Sequence, residues 1–542
     1  MGLRNFIIGL LLIATALQSC DNKVTDKEIF DWKNATVYFM LTDRFVNGDE
    51  SNDVNFNRND STVGLRSFMG GDLAGITQKI KEGYFNNLGV DALWFSPVNE
   101  QIHGWVDEGQ GATYAFHGYW IRDWTSIEPS WGTEDELKNL VKNAHKNGIR
   151  VLLDVIINHT GPVTEKDPVW PSDWVRTEPQ CTYQDYESTV FCTLVKNLPD
   201  VITEQTEEVE LPPDLIAKWK KEGRLEKEIK ELDAFFVRTG YPRTPRYYII
   251  KWITDFIRKY GIDGFRVDTV KHTEADVWSD LATESKIAFA EWKSTHKEAI
   301  HENQEFFILG ETYNYNALNG KDFDFGDRKV NYFDNGFDSQ INFGFKGDAN
   351  MDYEQLFSKY SNQLINGELS DVTTMNYISS HDDSWPFDKE RKRTFESATK
   401  LMLCPGQVQI YYGDETARPL IIEGAQGDVN LRGKMNWGEN PGLLAHWQKL
   451  GQFRHRHPAI GAGEHKIISN EPYTFARTYN KNGYQDQVVI ALGLEREPVS
   501  INVADYFKDG ERLTDVYSNT VYNVTDGKVM VESTDGIVLL EK

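Results

Sequence analysis

Acidic side chains stand at the ends of several short apolar segments of this 542-residue sequence, where they could carry acid–base chemistry. Arg266 and Asp268 lie two positions apart at the end of one segment, so in a strand both would point to one face. Glu311 ends the next segment, and Asp382 follows a later one. Cleavage of a glycosidic bond requires a carboxylate pair, one as nucleophile and one as proton donor. The spacing alone does not say which carboxylate would take which role.

The segments that carry these residues alternate with helical patterns, and this alternation predicts the fold. Eight apolar segments are typical of buried parallel strands: 37–40, 92–95, 151–157, 264–267, 306–309, and regions near Ile341, Tyr377 and Ile410. One helical pattern places apolar residues at i, i+3, i+4 and i+7, namely Ile249, Trp252, Ile253 and Phe256. Further helices are predicted after Thr133, Glu274 and Lys389. The fold class expected is α/β, as a (β/α)8 TIM barrel whose catalytic side chains lie at the C-terminal ends of the strands. A doubly wound sheet is the structural alternative.

Two regions interrupt the alternation and predict additions to the barrel. Residues 161–245 are rich in loops and contain a charged helix, which indicates an inserted subdomain B after the third strand. From residue 458 to 542 short alternating segments predict a C-terminal β-sandwich domain. The catalytic barrel would then comprise residues 31–160 and 246–457.

The first 20 residues have the features of an export signal. The apolar run from Phe6 to Leu17 is too short to span a bilayer as a helix and is typical of a signal peptide. It ends in Leu17-Gln18-Ser19-Cys20, which resembles the bacterial lipobox, where the cysteine is acylated. We therefore expect an exported bacterial lipoprotein anchored through Cys20, with the periplasm favoured over the cell surface. The alternative is an ordinary signal peptide that happens to end near a cysteine.

Composition limits the classes of partner. The 58 basic and 83 acidic side chains give a net charge of −25, which argues against nucleic acid and anionic lipid as partners. No glycine-rich phosphate loop follows the first strand, which disfavours a nucleotide cofactor. Export permits disulfides, and Cys181 and Cys192, 11 positions apart in a polar segment, could form a local one. Cys404 follows an apolar run and is expected to be a buried free thiol.

Several segments together resemble, in order and in spacing, the signature regions of the α-amylase superfamily of glycoside hydrolases. Four of them are Asp154–His159, Gly264–His272, Gly310–Glu311 and Tyr377–Asp382. Further matches are Tyr114–Trp120, Leu198–Asp200 and Tyr411–Glu415. The resemblance runs from about residue 35 to the C-terminus and implies a retaining glycoside hydrolase.

The resemblance also implies a role for each acidic residue. Asp268 would be the nucleophile, which Arg266 would hold ionised. Glu311 would be the general acid/base, with a pKa raised by burial and by nearby carboxylates. Asp382 would bind sugar hydroxyls and favour the distorted ring. The residues that contact the sugar would be His117, Tyr119, His159, Arg266, Lys271, His272 and His381.

Calcium is the cofactor that the resemblance implies. One structural site would join the barrel to the insertion through the side chains of Asn158 and Asp200 and the carbonyl of His272, all of them oxygen donors that calcium prefers. A second acidic cluster resembles an additional calcium site of cyclodextrin glucanotransferases and some bacterial amylases. Its ligands would come from Asn47, Asp49, Asn52, Asp53, Gly70 and Asp72. The alternative for this cluster is a solvated turn.

The implied activity is hydrolysis of α-1,4-glucosidic bonds in starch, glycogen or maltooligosaccharides. A 4-α-glucanotransferase or a cyclomaltodextrinase is the alternative within the fold, because the motifs do not set the balance between water and sugar as acceptor. A non-catalytic starch-binding lipoprotein is the alternative from another class, and the three carboxylates argue against it. Thr312-Tyr313-Asn314 and the long segment after Asp200 depart from the usual family pattern and resemble periplasmic bacterial α-amylases. We expect a monomer that binds α-glucan and meets the membrane only through its anchor.

Overall fold

The structure is a computed structural model that describes residues 30–109, 111–296, 304–481 and 483–542. The predicted signal peptide and Cys20 lie outside the described residues. Within the residues that are described, no helix is both long enough and apolar enough to cross a membrane.

Eight parallel strands of the described chain close into a barrel in which each strand pairs with the next one along the sequence. The first and last strands also pair, with Thr36 opposite Val408 and Phe39 opposite Tyr411. This closure confirms the predicted TIM barrel and excludes an open doubly wound sheet. In chain order the barrel strands are Thr36–Met40, Ala92–Phe95, Arg150–Val155, Gly264–Val267, Phe307–Gly310, Ser339–Asn342, Thr373–Asn376 and Gln407–Tyr411.

The barrel strands are buried on both faces, as near-continuous apolar runs require. Helices cover the outside, and their ends follow local sequence signals. The helix Glu134–Lys146 begins with a capping box between Thr133 and Glu136. The helix Pro245–Tyr260 begins with proline, whose missing N–H costs nothing there. The α-helices are Thr42–Phe45, Leu73–Lys81, Tyr84–Asn87, Glu134–Lys146, Glu187–Val190, Pro213–Lys221, Leu225–Thr239, Pro245–Tyr260, Ala275–Thr295, Phe345–Asp348, Tyr353–Leu364, Thr394–Met402, Pro441–Arg456 and Ala459–Ala462.

Some element ends differ from those the sequence predicts. The third barrel strand ends at Val155 because its partner Val267 is the last residue of the fourth strand, so the apolar residues 156 and 157 lie beyond the ladder. The seventh strand ends at Asn376, which leaves a loop before His381. The helix expected after Lys389 begins at Thr394, since the preceding turn is held by the Asp388 carboxylate.

The insertion after the third barrel strand contains a strand pair, Val175–Arg176 with Asp200–Val201, and three of the helices. Cys181 and Cys192 form a disulfide within it. The buried carboxylate of Asp123 accepts hydrogen bonds from Lys218 and Arg224 at 2.7 and 2.8 Å. These contacts tie the helices of the insertion to the strand Ile121–Ile127, which leads into the third barrel unit.

The C-terminal part is all-β and has its own core. A six-stranded antiparallel sheet lies beside a two-stranded sheet. Apolar side chains such as Val489, Val503 and Val529 fill the space between them. Cys404, in the barrel beneath this domain, is a buried free thiol as predicted. The strands of the larger sheet, in spatial order, are Glu464–Asn470, Tyr473–Lys481, Tyr484–Leu492, Ile537–Glu541, Arg512–Asp515 and Thr520–Asn523, and those of the smaller are Val499–Asn502 and Lys528–Val531.

Short strand pairs complete the loops of the barrel. They are Asn99–Gln101 with Ile121–Ile127, Val106–Asp107 with Ala112–Thr113, and Asp322–Asp324 with Lys329–Asn331.

Candidate active site

A single buried guanidinium organises the carboxylates at the C-terminal end of the barrel. Arg266, on the fourth strand, is 1% exposed. Its Nη1 lies 2.9 Å from Oδ1 of Asp154 and 2.7 Å from Oδ1 of Asp268, and its Nη2 lies 3.1 Å from Oε2 of Glu311. Carboxylates from three consecutive strands therefore meet on one positive charge, and Arg266 and Asp268 share one face, as their i, i+2 spacing predicts.

Asp154 positions this guanidinium from the third strand. Its Oδ2 accepts hydrogen bonds from Nε1 of Trp94 and from the hydroxyl of Tyr119, each at 2.9 Å. Burial raises the pKa of Asp154 to about 7, although Arg266 favours its ionised form. With both oxygens occupied by protein donors, Asp154 orients Arg266 and is not free to act on a substrate.

Glu311 has the electrostatics of a proton donor. Its Oε2 accepts a hydrogen bond from the backbone N–H of Thr269 at 3.0 Å. Burial raises the pKa of Glu311 to about 8; Arg266 opposes this, while the charges of Asp268 and Asp382 add to it. Burial therefore favours the protonated form of Glu311, which can give its proton to a leaving group.

Asp382 is held by positive and polar groups on the opposite side of the site. Its Oδ2 lies 2.8 Å from Nε2 of His381, and its Oδ1 accepts a hydrogen bond from Arg432 at 2.6 Å. Burial disfavours ionisation, but His381, Arg432 and Arg266 together hold the pKa of Asp382 below its usual range. The side chain keeps 37% of its surface exposed, so this ionised carboxylate faces the cleft.

Aromatic and imidazole rings line the space between these carboxylates. The ring of Tyr119 stacks on that of His381 with centroids 5.1 Å apart and an interplanar angle of 15°. The Nε2 of His159 donates to the carbonyl of Tyr119 at 3.1 Å, and Nδ1 of His117 accepts from its N–H at the same distance. A small cavity lies here, with Trp94, Glu311, His381 and Asp382 among its lining residues. A flat apolar face beside hydroxyl-binding groups suits a pyranose ring.

Lys271 and His272 lie on the side of the cleft that Glu311 occupies. The ammonium of Lys271 donates to the carbonyl of Tyr313 at 3.2 Å. The Nδ1 of His272 donates to the carbonyl of Thr189 in the insertion at 2.9 Å, and the residue is 6% exposed. Lys271 thus lies at the cleft, whereas the imidazole of His272 is hydrogen-bonded to the insertion. Contact of His272 with the substrate stays a prediction.

Three oxygen-bearing groups predicted for calcium come together between the barrel and the insertion. The amide of Asn158 lies 2.6 Å from Oδ1 of Asp200 and 3.2 Å from the carbonyl oxygen of His272. Turning this amide about its last bond would present its oxygen toward the same two atoms, which makes a set of hard donors. Burial raises the pKa of Asp200, whose other oxygen lies 2.8 Å from Arg176. The donor set fits a calcium ion, which would relieve the cost of burying this carboxylate.

The second predicted calcium cluster is brought together only in part. The amide of Asn47 donates to Oδ1 of Asp53 at 2.8 Å, and a Cβ on Gly70 would collide with both side chains. Asp72 caps the helix that begins at Leu73 and accepts from the N–H groups of residues 48, 49 and 75, so its carboxylate lies beside the first residues of the cluster.

The remaining members of this cluster, Asp49 and Asn52, both contact Asp72: the Asp49 N–H and the Asn52 amide donate to its Oδ2 at 2.8 and 3.4 Å. Asp49 is bonded to the N–H of Ser51, whereas Oδ1 of Asn52 is buried without a hydrogen-bond partner in the described structure. In the part of the chain that the structure describes, no three His, Cys, Asp or Glu side chains converge as a metal site. Both candidate sets therefore depend on amide and carbonyl oxygens, which calcium accepts.

Comparison with known proteins decides the family. Residues 39–419 match the family described as "Alpha amylase, catalytic domain". The chain belongs to the α-amylase family of glycoside hydrolases. It is 35% identical over 514 residues to the periplasmic alpha-amylase of Escherichia coli (strain K12), a match that covers 83% of this chain and 71% of that protein. It is 26% identical over 477 residues to a cyclomaltodextrin glucanotransferase of Niallia circulans, and there it spans 85% of this chain but 59% of the relative.

A solved structure supports the same fold. The crystal structure of an Anoxybacillus alpha-amylase matches with a TM-score of 0.66 at 23% identity, covering 94% of this chain and 99% of that one. The likeness extends over the barrel, the insertion and the C-terminal β domain of this α-amylase family member, so the whole architecture is shared.

Two residues of the site are not singled out by the sequence. Arg432, the partner of Asp382, follows the eighth strand at the end of a 3-10 helix, Gly427–Arg432, with no motif of its own. Trp94 is an apolar residue of the second strand, and only the geometry shows its N–H on Asp154. Aromatic residues at strand ends are the sequence feature that indicates further substrate contacts. The sequence alone does not separate exposed aromatic residues from aromatic residues of the core.

Proposed function

We propose that the chain is a retaining hydrolase of α-1,4-glucans. The observation that carries the proposal is the contact of one guanidinium with both Asp268 and Glu311, next to an Asp382 that is held ionised. Two carboxyl groups on one guanidinium suit the short separation of about 5–5.5 Å that retaining enzymes use. Glu311 carries the proton, and Asp268 is paired with Arg266 as a nucleophile would be.

The proposed reaction has two steps. In the first, an oxygen of Asp268 attacks the anomeric carbon while Glu311 protonates the leaving glycosidic oxygen, which gives a covalent glycosyl ester. In the second, the Glu311 carboxylate takes a proton from water, whose oxygen attacks the same carbon and frees Asp268. Asp382 would bind sugar hydroxyls, and the Tyr119 ring would support the sugar that is cleaved.

Products from maltoheptaose test hydrolysis against transfer. The relatives include both amylases and cyclomaltodextrin glucanotransferases, so both outcomes are open to this fold. A hydrolase yields only chains shorter than the substrate, whereas a transferase also yields longer ones. Preference for a cyclodextrin over soluble starch would indicate a cyclomaltodextrinase. Binding of starch without release of reducing ends would contradict the proposal and favour a non-catalytic binding protein.

We also propose one structural calcium ion at Asn158, Asp200 and the His272 carbonyl, and a second at the Asn47–Asp53 cluster. Support for the first comes from the convergence of oxygen donors around a buried carboxylate. Support for the second comes from Asn47, Asp53 and Gly70 lying together. When bound, the first ion would neutralise the buried charge of Asp200 and fix the insertion to the barrel.

Removal of calcium is expected to lower the melting temperature. A ligand that binds only the folded state stabilises it by about 2.7 kcal/mol at a free concentration a hundredfold above Kd. Thermal scans with excess chelator and with added calcium measure the difference for the wild-type chain, for Asp200→Ala and for Asp53→Ala. The difference should shrink most in Asp200→Ala. Identical scans with chelator and with calcium in the wild-type chain would contradict calcium binding.

We propose that the protein is exported and anchored by lipid on Cys20. Similarity to a periplasmic alpha-amylase supports export, and the lipobox-like Leu17-Gln18-Ser19-Cys20 supports the anchor. A tether would keep the products of digestion close to the cell. A monomer that meets the membrane only through this lipid would fit the acidic net charge.

Cys20→Ser is expected to release the protein from membranes. Each buried methylene of an acyl chain contributes about 0.8 kcal/mol to anchoring, and the serine variant cannot be acylated in this way. Fractionation of cells that express each form, with a high-salt wash, measures the bound share. Cys404→Ser is the matched control because that thiol is buried in the barrel. Membrane retention of Cys20→Ser after the wash would contradict the lipobox assignment.

A further inference from the structure

Trp385 is the most exposed tryptophan among the described residues, and it belongs to the loop that carries Asp382 of the active site. Its side chain is 81% exposed, whereas tryptophans such as Trp94 and Trp131 are fully buried. It follows Asp382 by three positions, in the loop between the seventh barrel strand and the helix Thr394–Met402. The ammonium of Lys389 lies 5.8 Å from the centre of its ring, but no aromatic ring of the described chain packs on it, so folding does not explain why so large an apolar surface faces water.

The loop that carries Trp385 is held in place by buried groups. The N–H of Trp385 donates to Oδ1 of Asp383 at 2.9 Å. The other oxygen of Asp383 accepts from the hydroxyl of Tyr377 at 2.7 Å and pairs with the ammonium of Lys346. The N–H of Phe387 donates to the carbonyl of residue 378 at 2.9 Å, which closes the loop. The indole is therefore presented on a fixed backbone, which lowers the entropy cost of binding a ligand.

A row of aromatic contacts shows which side of the cleft this loop occupies. The ring of Tyr313, two residues after Glu311, lies 5.1 Å from that of Phe343, and Phe343 lies 5.7 Å from Tyr377. Tyr377 in turn bonds to Asp383 at the base of the Trp385 loop. The loop of Trp385 is thus joined through Asp383 to the wall that begins beside the proton donor, and the proton donor faces the leaving group.

We propose that Trp385 binds the leaving-group part of the glucan chain by stacking its indole on a pyranose ring. This rests on the proposed function and adds to it a preference for linear α-glucans long enough to reach beyond Tyr313. The apolar C–H face of a glucose unit packs on an aromatic ring, and the rim of a cleft is where a chain leaves the enzyme. Trp385 is a specificity residue; it does not touch the reacting atoms.

Bond-cleavage frequencies on maltooligosaccharides labelled at the reducing end test this role. Trp385→Ala should lower kcat/KM on maltoheptaose by about five- to tenfold, the order of one lost ring contact, and should shift cleavage toward shorter labelled products. Trp385→Phe should recover most of the wild-type pattern because it restores an aromatic face. Phe395→Ala is the matched control: Phe395 is 53% exposed but packs on His446, away from the cleft, and its loss should leave the pattern unchanged.

The outcomes separate this inference from the function on which it rests. An unchanged pattern in Trp385→Ala, or an equal change in Phe395→Ala, overturns the role of Trp385 while wild-type cleavage stands. Failure of Trp385→Phe to recover any of the loss also overturns it, because stacking would not then be the cause. Absence of cleavage by the wild-type chain refutes the proposed function and this inference with it.

Discussion

Asp268→Asn is expected to lower kcat by several orders of magnitude while the protein remains folded. An amide cannot form the glycosyl ester, and it also gives up the charged contact of Asp268 with Arg266 at 2.7 Å. Asparagine has nearly the same shape, so packing around the fourth strand is preserved. Initial rates on soluble starch or maltoheptaose, together with a thermal scan, measure the two effects separately.

Asp263→Asn provides a matched control for this substitution. Asp263 precedes the same strand at the opposite end of the barrel, where its carboxylate lies 2.8 Å from Nε2 of His145 and accepts from the N–H of Val151. Its loss should reduce stability and leave turnover of the folded enzyme close to wild type. Turnover by purified Asp268→Asn near that of the wild-type chain would contradict the nucleophile assignment.

Glu311→Gln is expected to lower the rate strongly and to remove the fall in rate that the wild-type enzyme shows at alkaline pH. Glu311 must be protonated to act as acid, and its pKa is raised to about 8, so the active form prevails below this pH and is lost as pH rises through it. The wild-type kcat/KM, which reports the free enzyme, should therefore fall above about pH 8. In Glu311→Gln the residual rate should no longer show this limb, because glutamine does not titrate.

Substrates with a good leaving group distinguish loss of the acid from loss of the site. A glycosyl fluoride needs little protonation, so Glu311→Gln should retain far more activity on α-maltosyl fluoride than on maltoheptaose. The same comparison in Asp268→Asn should show loss on both substrates. An alkaline limb that persists in Glu311→Gln, or equal losses on both substrates, would assign the acid to another residue.

The sequence was sufficient for the barrel and the order of its catalytic strands because these depend on local patterns. Apolar runs buried on both faces and the i, i+2 pair of Arg266 and Asp268 are visible without any knowledge of contacts. The predicted ends of the strands are less accurate, because a strand ends where the hydrogen-bonded strand beside it ends. Val155 ends the third strand for this reason, although the apolar run continues beyond it.

Contacts between residues that are distant in the sequence could not be predicted. Arg432 binds Asp382 from a 3-10 helix beyond the eighth strand, and nothing in the residues around Arg432 indicates this contact. The sequence predicts Asp72 as a calcium ligand, which stays a prediction; that its carboxylate also caps the helix at Leu73 is visible only in the structure. A role that depends on a partner far away in the sequence can be recognised only when the fold is known.

Peptide mapping of a trapped intermediate tests the central claim most directly. Glu311→Gln incubated with α-maltosyl fluoride should form the ester on Asp268 and hydrolyse it slowly, because the base that activates water is missing. Mass spectrometry of a rapid peptic digest should then show a maltosyl adduct on the peptide that contains Asp268. An adduct on a different carboxylate, or no adduct while fluoride is released, would contradict the assignment of Asp268 as nucleophile and Glu311 as acid/base.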